Sequence, residues 1–222
     1  MINENCSLGT ELAKKHSGLE AALKAINVLR PDEKLTGFEE IYDWQRGGAE
    51  TYVTAARYTA SSSIGQREGG IISKAVLAFG PISERISDMM KRRGILESAG
   101  VQTPAVYSTA DGCIVEEYIE KSIGEAVKKG NPDETLLSGI VDVAVKLDKA
   151  GFRTTNFIQD LRTDGEKVFY TDWGFDLGEP SPEPSQTALL RLRKFARDIK
   201  IDPERLEKMY QDKQKLEYRT AG

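Results

Sequence analysis

Apolar residues recur at two different spacings along the chain, and these spacings predict where helices and strands lie. From Leu8 to Leu29 they recur mostly at steps of three and four, which predicts one or two amphipathic helices ending before Pro31. Residues 51–60 are rich in β-branched and aromatic side chains, and residues 71–79 form a mostly apolar run. Both stretches are typical of strands, and the glycine pair before residue 71 indicates a turn between them.

A helix and a hairpin follow these strands. Pro81 precedes an apolar stripe typical of a helix, and residues 105–119 predict a hairpin around a turn at residues 110–112. We therefore expect an N-terminal helical segment over residues 1–36. An antiparallel sheet that carries one helix is expected over residues 37–119.

Residues 120–222 change to a mainly helical pattern. A strong apolar stripe between Leu136 and Leu147 predicts a helix that stops near Gly151. The remaining predicted elements are short strands at 156–161 and 167–173, a proline-rich loop at 179–185, and helices at 187–199 and 203–215. Together these elements predict an α+β fold with two lobes, the second a reduced helical lobe.

Charge and composition exclude several classes of function. The chain has 31 basic and 35 acidic residues and a net charge of -4, so a nucleic-acid-binding protein with a broad cationic field is not expected. A local basic patch at residues 91–93 stays open, although such a run is usually a solvated helix face. Two cysteines (Cys6 and Cys113) and one histidine are too few for a disulfide framework or a zinc site. Without a signal-peptide pattern or an apolar run of about 20 residues, we expect a cytoplasmic protein without a membrane span.

Lys74 interrupts the apolar strand predicted over residues 71–79. A buried ammonium group needs an anionic partner, because an unpaired charge is costly to remove from water. Strand alternation puts Ile72 and Val76 on the same face as Lys74, so its ammonium group lies beside an apolar surface. A planar base and a phosphate would satisfy both features. The alternative is a lysine whose stem covers apolar surface while its amine reaches water.

Four further positions carry residues suited to nucleotide binding. Gly47 and Gly48 lie in a predicted turn, where backbone N–H groups can approach a phosphate. Asp172 ends a predicted strand, where a carboxylate can hold a divalent cation, and Asn156 begins the preceding strand. Each position also has a structural explanation, as part of an ordinary turn, a turn acid or a strand-entry cap.

The order of these features resembles the protein-kinase-like superfamily. The shared features are a lysine on a core strand, a hairpin ending in VEEYI, an asparagine at a strand start, and aspartate-aromatic-glycine after the next strand. The sequence GVQTP at residues 100–104 is similar, more narrowly, to the aminoglycoside phosphotransferase type of small-molecule kinase. The resemblance covers roughly residues 40–200 and implies a bilobal kinase-like fold with ATP and Mg²⁺ as cofactors.

The resemblance also implies a role for each matching residue. Lys74 would contact the α and β phosphates of ATP, and Asn156 and Asp172 would hold Mg²⁺. The other implied contacts are with the backbone: Glu117 and Ile119 would pair with adenine, and Gly47 and Gly48 would replace the phosphate-covering loop.

The sequence does not identify the acidic partner that the family gives to its strand lysine. Glu84, Asp88 and Glu97 follow Lys74 on the predicted helix, and helical spacing favours none of them. The hairpin acids Glu116 and Glu117 are interpreted as exposed strand residues.

One motif of the family is missing. Its catalytic loop has the form H-x-D-x-x-x-x-N, and with Asn156 as the last letter Gly151 occupies the acid position. Phosphoryl transfer depends mainly on positioning and charge neutralisation, so slow transfer without this acid stays open. Asp148 or Asp160 would be a displaced carboxylate, and Arg153 would be a phosphate contact.

Three functions therefore remain. The first is an ATP- and Mg²⁺-dependent phosphotransferase with an atypical catalytic loop, acting on a small molecule. The second is a pseudokinase that binds nucleotide as a regulatory module, and the third is a kinase-like protein that transfers AMP. The sequence does not identify the acceptor, whether a small molecule or a protein.

Overall fold

The expected α+β class is confirmed by a computed structural model, in which an antiparallel sheet precedes a mainly helical part. The structure describes residues 18–47, 51–77, 81–110, 112–127, 133–174 and 177–220. The chain divides into two compact units, of which the first runs to Asp88 and includes Pro104–Tyr118. The second comprises Met89–Thr103 and the residues from Ile119 onward. The predicted helical residues 8–17 lie outside the described part.

The first unit is built on a five-stranded antiparallel sheet. The elements up to this sheet's last strand are α1 (Leu19–Ala25), β1 (Lys34–Gly47), β2 (Thr51–Ser62), β3 (Gly65–Val76), α2 (Ile82–Ser98), β4 (Val106–Ser108) and β5 (Cys113–Glu117). The strand order in the sheet is β1-β2-β3-β5-β4. Leu23 of helix α1 is fully buried and packs in one core cluster with Ile71 and Val115 of the sheet.

The predicted turn at Gly69 and Gly70 is wrong, because both glycines lie inside β3. The turn lies earlier, between Ser62 and Gly65. A side chain at Gly69 would overlap the ring of Tyr58. The missing side chain here therefore allows a close approach within the sheet rather than a turn.

A buried glutamate fixes the connection between α1 and the sheet. Glu33 is 1% exposed and accepts hydrogen bonds from Arg67 Nε (2.7 Å) and from the Arg30 side chain. Arg67 also donates to the Val28 carbonyl and to the Tyr58 hydroxyl, each at 2.7 Å. The Arg67 hydrogen bonds are the main reason why the pKa of Glu33 lies well below its usual range.

The second unit combines helices with a small three-stranded antiparallel sheet in the order β6-β7-β8. Helix α4 begins where Asp133 accepts hydrogen bonds from the Thr135 and Leu136 N–H groups. The elements are β6 (Lys121–Ser122), α3 (Ile123–Ala126), α4 (Glu134–Lys149), β7 (Leu161–Thr163), β8 (Val168–Tyr170), α5 (Thr187–Asp198) and α6 (Pro203–Thr220).

The predicted strand at residues 156–161 is wrong. The Asp160 N–H bonds to the Asn156 carbonyl at 3.1 Å, so the segment is a helical turn, and β7 begins only at Leu161. The apolar pair Phe157 and Ile158 imitates a strand in the sequence, but Phe157 is fully buried in the core.

Two further expectations concern cysteine and the membrane. Cys113 in β5 is 2% exposed and disulfide-bonded. A single bond of this kind is not a disulfide framework. Within the described ranges, no helix is both long enough and apolar enough to cross a bilayer.

Candidate functional site

Lys74 has its anionic partner within the sheet. Its ammonium lies 2.6 Å from Glu116 Oε1, and the side chains are 13% and 1% exposed. Lys74 pairs with Ile114 and Ile72 with Glu116 in the β3–β5 ladder, so lysine and glutamate are diagonal neighbours on one face. The interpretation of Glu116 as an exposed strand acid is therefore wrong.

The acidic residues of helix α2 have other surroundings. Glu97 Oε1 accepts hydrogen bonds from Thr103 and forms an ion pair with Arg93, each at 2.7 Å. Glu84 and Asp88 are exposed. Strand pairing, which a helical-wheel count does not contain, identifies the partner of Lys74.

The predicted backbone contacts of a nucleotide lie at the ends of strands. Gly47 is the last residue of β1, where it pairs with Thr51, and Gly48 lies outside the described residues. The Glu117 N–H is bonded to the Ala105 carbonyl at 2.8 Å. The Ile119 carbonyl accepts a bond from Arg162 at 3.2 Å.

Two loop segments of the second unit hold Asn156 and Asp172, and they are bonded to each other. Thr154 forms a β-bridge with Leu177. Six residues along the first segment, the Asp160 carbonyl accepts hydrogen bonds from the Thr171 N–H and hydroxyl, both at 2.9 Å. Asn156 lies between these two connections on one segment and Asp172 on the other. Both residues are half-buried.

Asp172 is held by the turn that follows it. Its Oδ1 accepts a hydrogen bond from the Gly174 N–H at 3.0 Å. This short-range bond fixes the direction of the carboxylate, as in other aspartate-initiated turns.

Asp160 is the residue that stands at the strand start, where the sequence analysis expected Asn156. It is 6% exposed, and its Oδ2 accepts a hydrogen bond from the Tyr170 hydroxyl at 3.0 Å. Burial, followed by the nearby Asp160 charge, raises the pKa of Tyr170 well above its usual value. If the family motif is counted from Asp160 instead of Asn156, its acid position falls on Thr155, which again is not an acid.

Gly151 ends helix α4. Its φ is +77°, its N–H bonds to the Asp148 carbonyl (3.1 Å), and the Phe152 N–H bonds to the Leu147 carbonyl (3.1 Å). This pattern is the Schellman motif, in which glycine is the usual residue. A Cβ at Gly151 would lie within 3.0 Å of three backbone atoms of Ser181, in the proline-rich loop. Gly151 therefore has a structural role and has no room for a carboxylate.

Asp148 is also structural, which excludes it as a displaced base. It is 1% exposed and accepts hydrogen bonds from the Ala188 and Leu189 N–H groups (3.1 Å each) and from the Tyr210 hydroxyl (2.9 Å). Burial raises its pKa despite these bonds. The carboxylate connects α4 to the first turn of α5 and to α6.

The suggested basic surface at residues 91–93 is wrong for two of its members. Arg92 is 9% exposed, donates to the Gly174 carbonyl (3.3 Å) and forms an ion pair with Glu179. The Arg93 guanidinium lies 5.7 Å from the ring centroid of Trp173. Both arginines therefore fix the segment that follows Asp172, a function that the local sequence did not indicate.

The oxygen atoms of this region suit magnesium, which prefers carboxylate, amide and phosphate oxygens. Asp172, with Asn156 or Asp160, supplies such atoms from the two bonded loops. In the part of the chain that the structure describes, no cluster of three or more His, Cys, Asp and Glu residues could hold a metal ion. Phosphate and water would therefore complete the coordination, as is usual for Mg²⁺.

Solved structures of a kinase and of a pseudokinase are similar to this chain at low scores. No protein-family profile and no curated protein matches the chain. The crystal structure of choline kinase LicA from Streptococcus pneumoniae matches with 13% identity and a TM-score of 0.38, over 87% of this chain and 80% of that one. The Drosophila melanogaster PAN3 pseudokinase matches with 11% identity and a TM-score of 0.36, over 80% of this chain and 54% of that one. Both TM-scores are low, so neither match establishes a family or a function.

Proposed function

We propose that the chain is a kinase-like protein that binds ATP with Mg²⁺ and transfers phosphate slowly or not at all. Asp172 holds the ion together with an oxygen of Asn156 or Asp160, and Lys74 contacts phosphate. Mg²⁺ held there would neutralise phosphate charge. The backbone of Glu117 and Ile119 would pair with adenine, and Gly47 and Gly48 would replace the phosphate-covering loop.

The observation that carries this proposal is the pairing of the two loops of the second unit. Bonds at Thr154–Leu177 and at Asp160–Thr171 hold the segments together on either side of Asn156. A cation site needs oxygen atoms from separate parts of the chain to be positioned before the ion arrives. Loops bonded in this way hold such oxygen atoms in position. An ordinary solvated surface turn has no need of these bonds.

The absence of an acid in the catalytic loop favours binding over turnover. Counted from Asn156 or from Asp160, the acid position holds Gly151 or Thr155. A general base contributes about 100-fold to 10,000-fold, or ~3–5.5 kcal/mol of barrier. A chain that lacks it is expected to keep nucleotide affinity and to lose most of its rate of transfer.

Thermal unfolding with ATP and Mg²⁺ tests the proposal. At an ATP concentration about 100 times the dissociation constant, binding adds about 2.7 kcal/mol to the free energy of unfolding. We expect Asp172→Asn to remove most of this gain, because the amide keeps the turn but lacks the charge. Asp164→Asn is the matched control, since Asp164 caps the β7–β8 turn by accepting from the Glu166 and Lys167 N–H groups. Stabilisation that is absent at millimolar ATP, or undiminished in Asp172→Asn, would contradict the proposal.

Product analysis then separates the three functions. Binding without hydrolysis or transfer identifies a pseudokinase. Release of ADP identifies a phosphotransferase, and release of pyrophosphate identifies transfer of AMP.

A further inference from the structure

A small cavity lies in the second unit between the loop after α4 and helix α5. Its volume is about 100 Å³. Its walls include Thr155, Ile158 and Gln159 from the loop, and Arg191, Lys194 and Phe195 from the helix. All of these residues belong to one unit, and none of them is a proposed nucleotide contact.

The polar wall of the cavity has a net positive charge. Arg191 and Lys194 are three residues apart on α5 and so lie on the same side of the helix. Within the described ranges neither cation forms an ion pair, whereas their neighbour Arg193 is bonded to Glu207. Asp198 supplies the one carboxylate of the lining and offsets only part of this charge.

The rest of the lining is mixed. Phe195 is 5% exposed and Ile158 is half-buried, so both present apolar surface. Thr155 and Gln159 add a hydroxyl and an amide. Sites for drug-sized ligands usually have volumes of about 300–1,000 Å³, so this cavity suits a much smaller molecule than a nucleotide.

We infer that this cavity binds a small organic anion. A phosphate or carboxylate group lies between Arg191 and Lys194, because a guanidinium offers paired donors that match either group. A short apolar portion of the ligand contacts Phe195. The lining shares no residue with the proposed nucleotide site, although Thr155 and Gln159 are chain neighbours of Asn156 and Asp160. Anion binding in the cavity does not require a bound nucleotide.

Calorimetric titration without nucleotide or magnesium tests the inference, with inorganic phosphate, ethyl phosphate and acetate as probes. We expect ethyl phosphate to bind more tightly than inorganic phosphate, because its ethyl group reaches Phe195. Acetate, the third arm, distinguishes a carboxylate-binding from a phosphate-binding site. Arg191→Gln and Lys194→Gln are each expected to weaken binding about tenfold, through loss of a charge-assisted hydrogen bond.

Two further variants make the result specific to the cavity. Asp198→Asn should tighten binding a few-fold, because it removes a negative charge from the lining. Arg197→Gln is the matched control, an exposed cation of α5 outside the lining, and should change affinity less than about twofold. The inference would be overturned if no probe bound even after the salt concentration was lowered tenfold, to about 0.01 M. Equal losses of affinity in Arg197→Gln and Arg191→Gln would also overturn it. So would unchanged affinity in an Arg191→Gln/Lys194→Gln double variant.

Discussion

The sheet of the first unit and the helices of the second unit satisfy their buried charges in different ways. In the sheet, charged side chains bind one another, as in Lys74–Glu116 and Arg67–Glu33. In the second unit, charged side chains on helices also bind the backbone of other segments. Asp148 of α4 accepts from the first turn of α5, and Arg92 of α2 donates to the Gly174 carbonyl as well as pairing with Glu179. A substitution in the sheet therefore tests the cost of an unpaired charge, and a substitution in the second unit tests how one segment is attached to another.

The largest effect is expected at the Lys74–Glu116 pair, because the Glu116 side chain is 1% exposed. Lys74→Met removes the ammonium group that lies 2.6 Å from this buried carboxylate, which we expect to lower the free energy of unfolding by about 3–5 kcal/mol. The double variant Lys74→Met/Glu116→Leu should recover most of this loss, because it removes both charges of the pair. Urea unfolding of the two variants measures the difference. Equal losses in both would show that packing, and not charge, makes this part of the sheet stable.

In the loops, the corresponding test is steric. Gly151→Ala places a Cβ against the Ser181 backbone at a residue with left-handed φ. We expect the steric overlap and the backbone strain together to lower the free energy of unfolding by about 2–4 kcal/mol. Gly165→Ala is the control, because Gly165 also has positive φ (+106°) but a Cβ there would meet nothing within 4 Å. The free energy of unfolding of Gly165→Ala should fall only by the cost of the backbone conformation, about 1–2 kcal/mol. Similar losses for both variants in urea unfolding would mean that the proline-rich loop moves aside easily.

The smallest of these effects concerns pH. The lowered pKa of Glu33 means that this carboxylate stabilises the folded state above its unfolded pKa of about 4.3. That contribution is lost as the pH falls further, toward the folded pKa. Wild type should therefore lose stability more steeply between about pH 5 and pH 3 than Glu33→Gln, which starts from lower stability at pH 7. Glu39→Gln, at an exposed position of β1, should follow the wild-type slope in urea titrations. If the free energy of unfolding of Glu33→Gln and of wild type fell in parallel with pH, the Arg67–Glu33 pair would not contribute to the pH dependence of stability.

Much of the fold was predictable because it follows from local periodicity. The apolar stripe of α4 and the β-branched run of β2 were sufficient to place those elements within a few residues. The errors arose where distant segments meet. The burial of Glu116 depends on the register between β3 and β5, and the burial of Arg92 depends on a loop more than 80 positions away. Neither the burial of Glu116 nor that of Arg92 can be predicted from a local stretch of the sequence.

The candidate site was predictable only as a set of residue types in order. Lys74, Asn156 and Asp172 were identified by their spacing, and their roles toward a nucleotide stay predictions. The false strand at 156–161 conceals the true start of β7 at Leu161, and with it the position of Asp160 beside that strand.

The contact between Gly151 and Ser181 has a consequence for the engineering of this chain. A designed acid at residue 151 would have to be combined with a second change that moves the Ser181 backbone away, because a side chain at residue 151 overlaps that backbone. A single substitution at this helix end is therefore a poor route to installing a new general base.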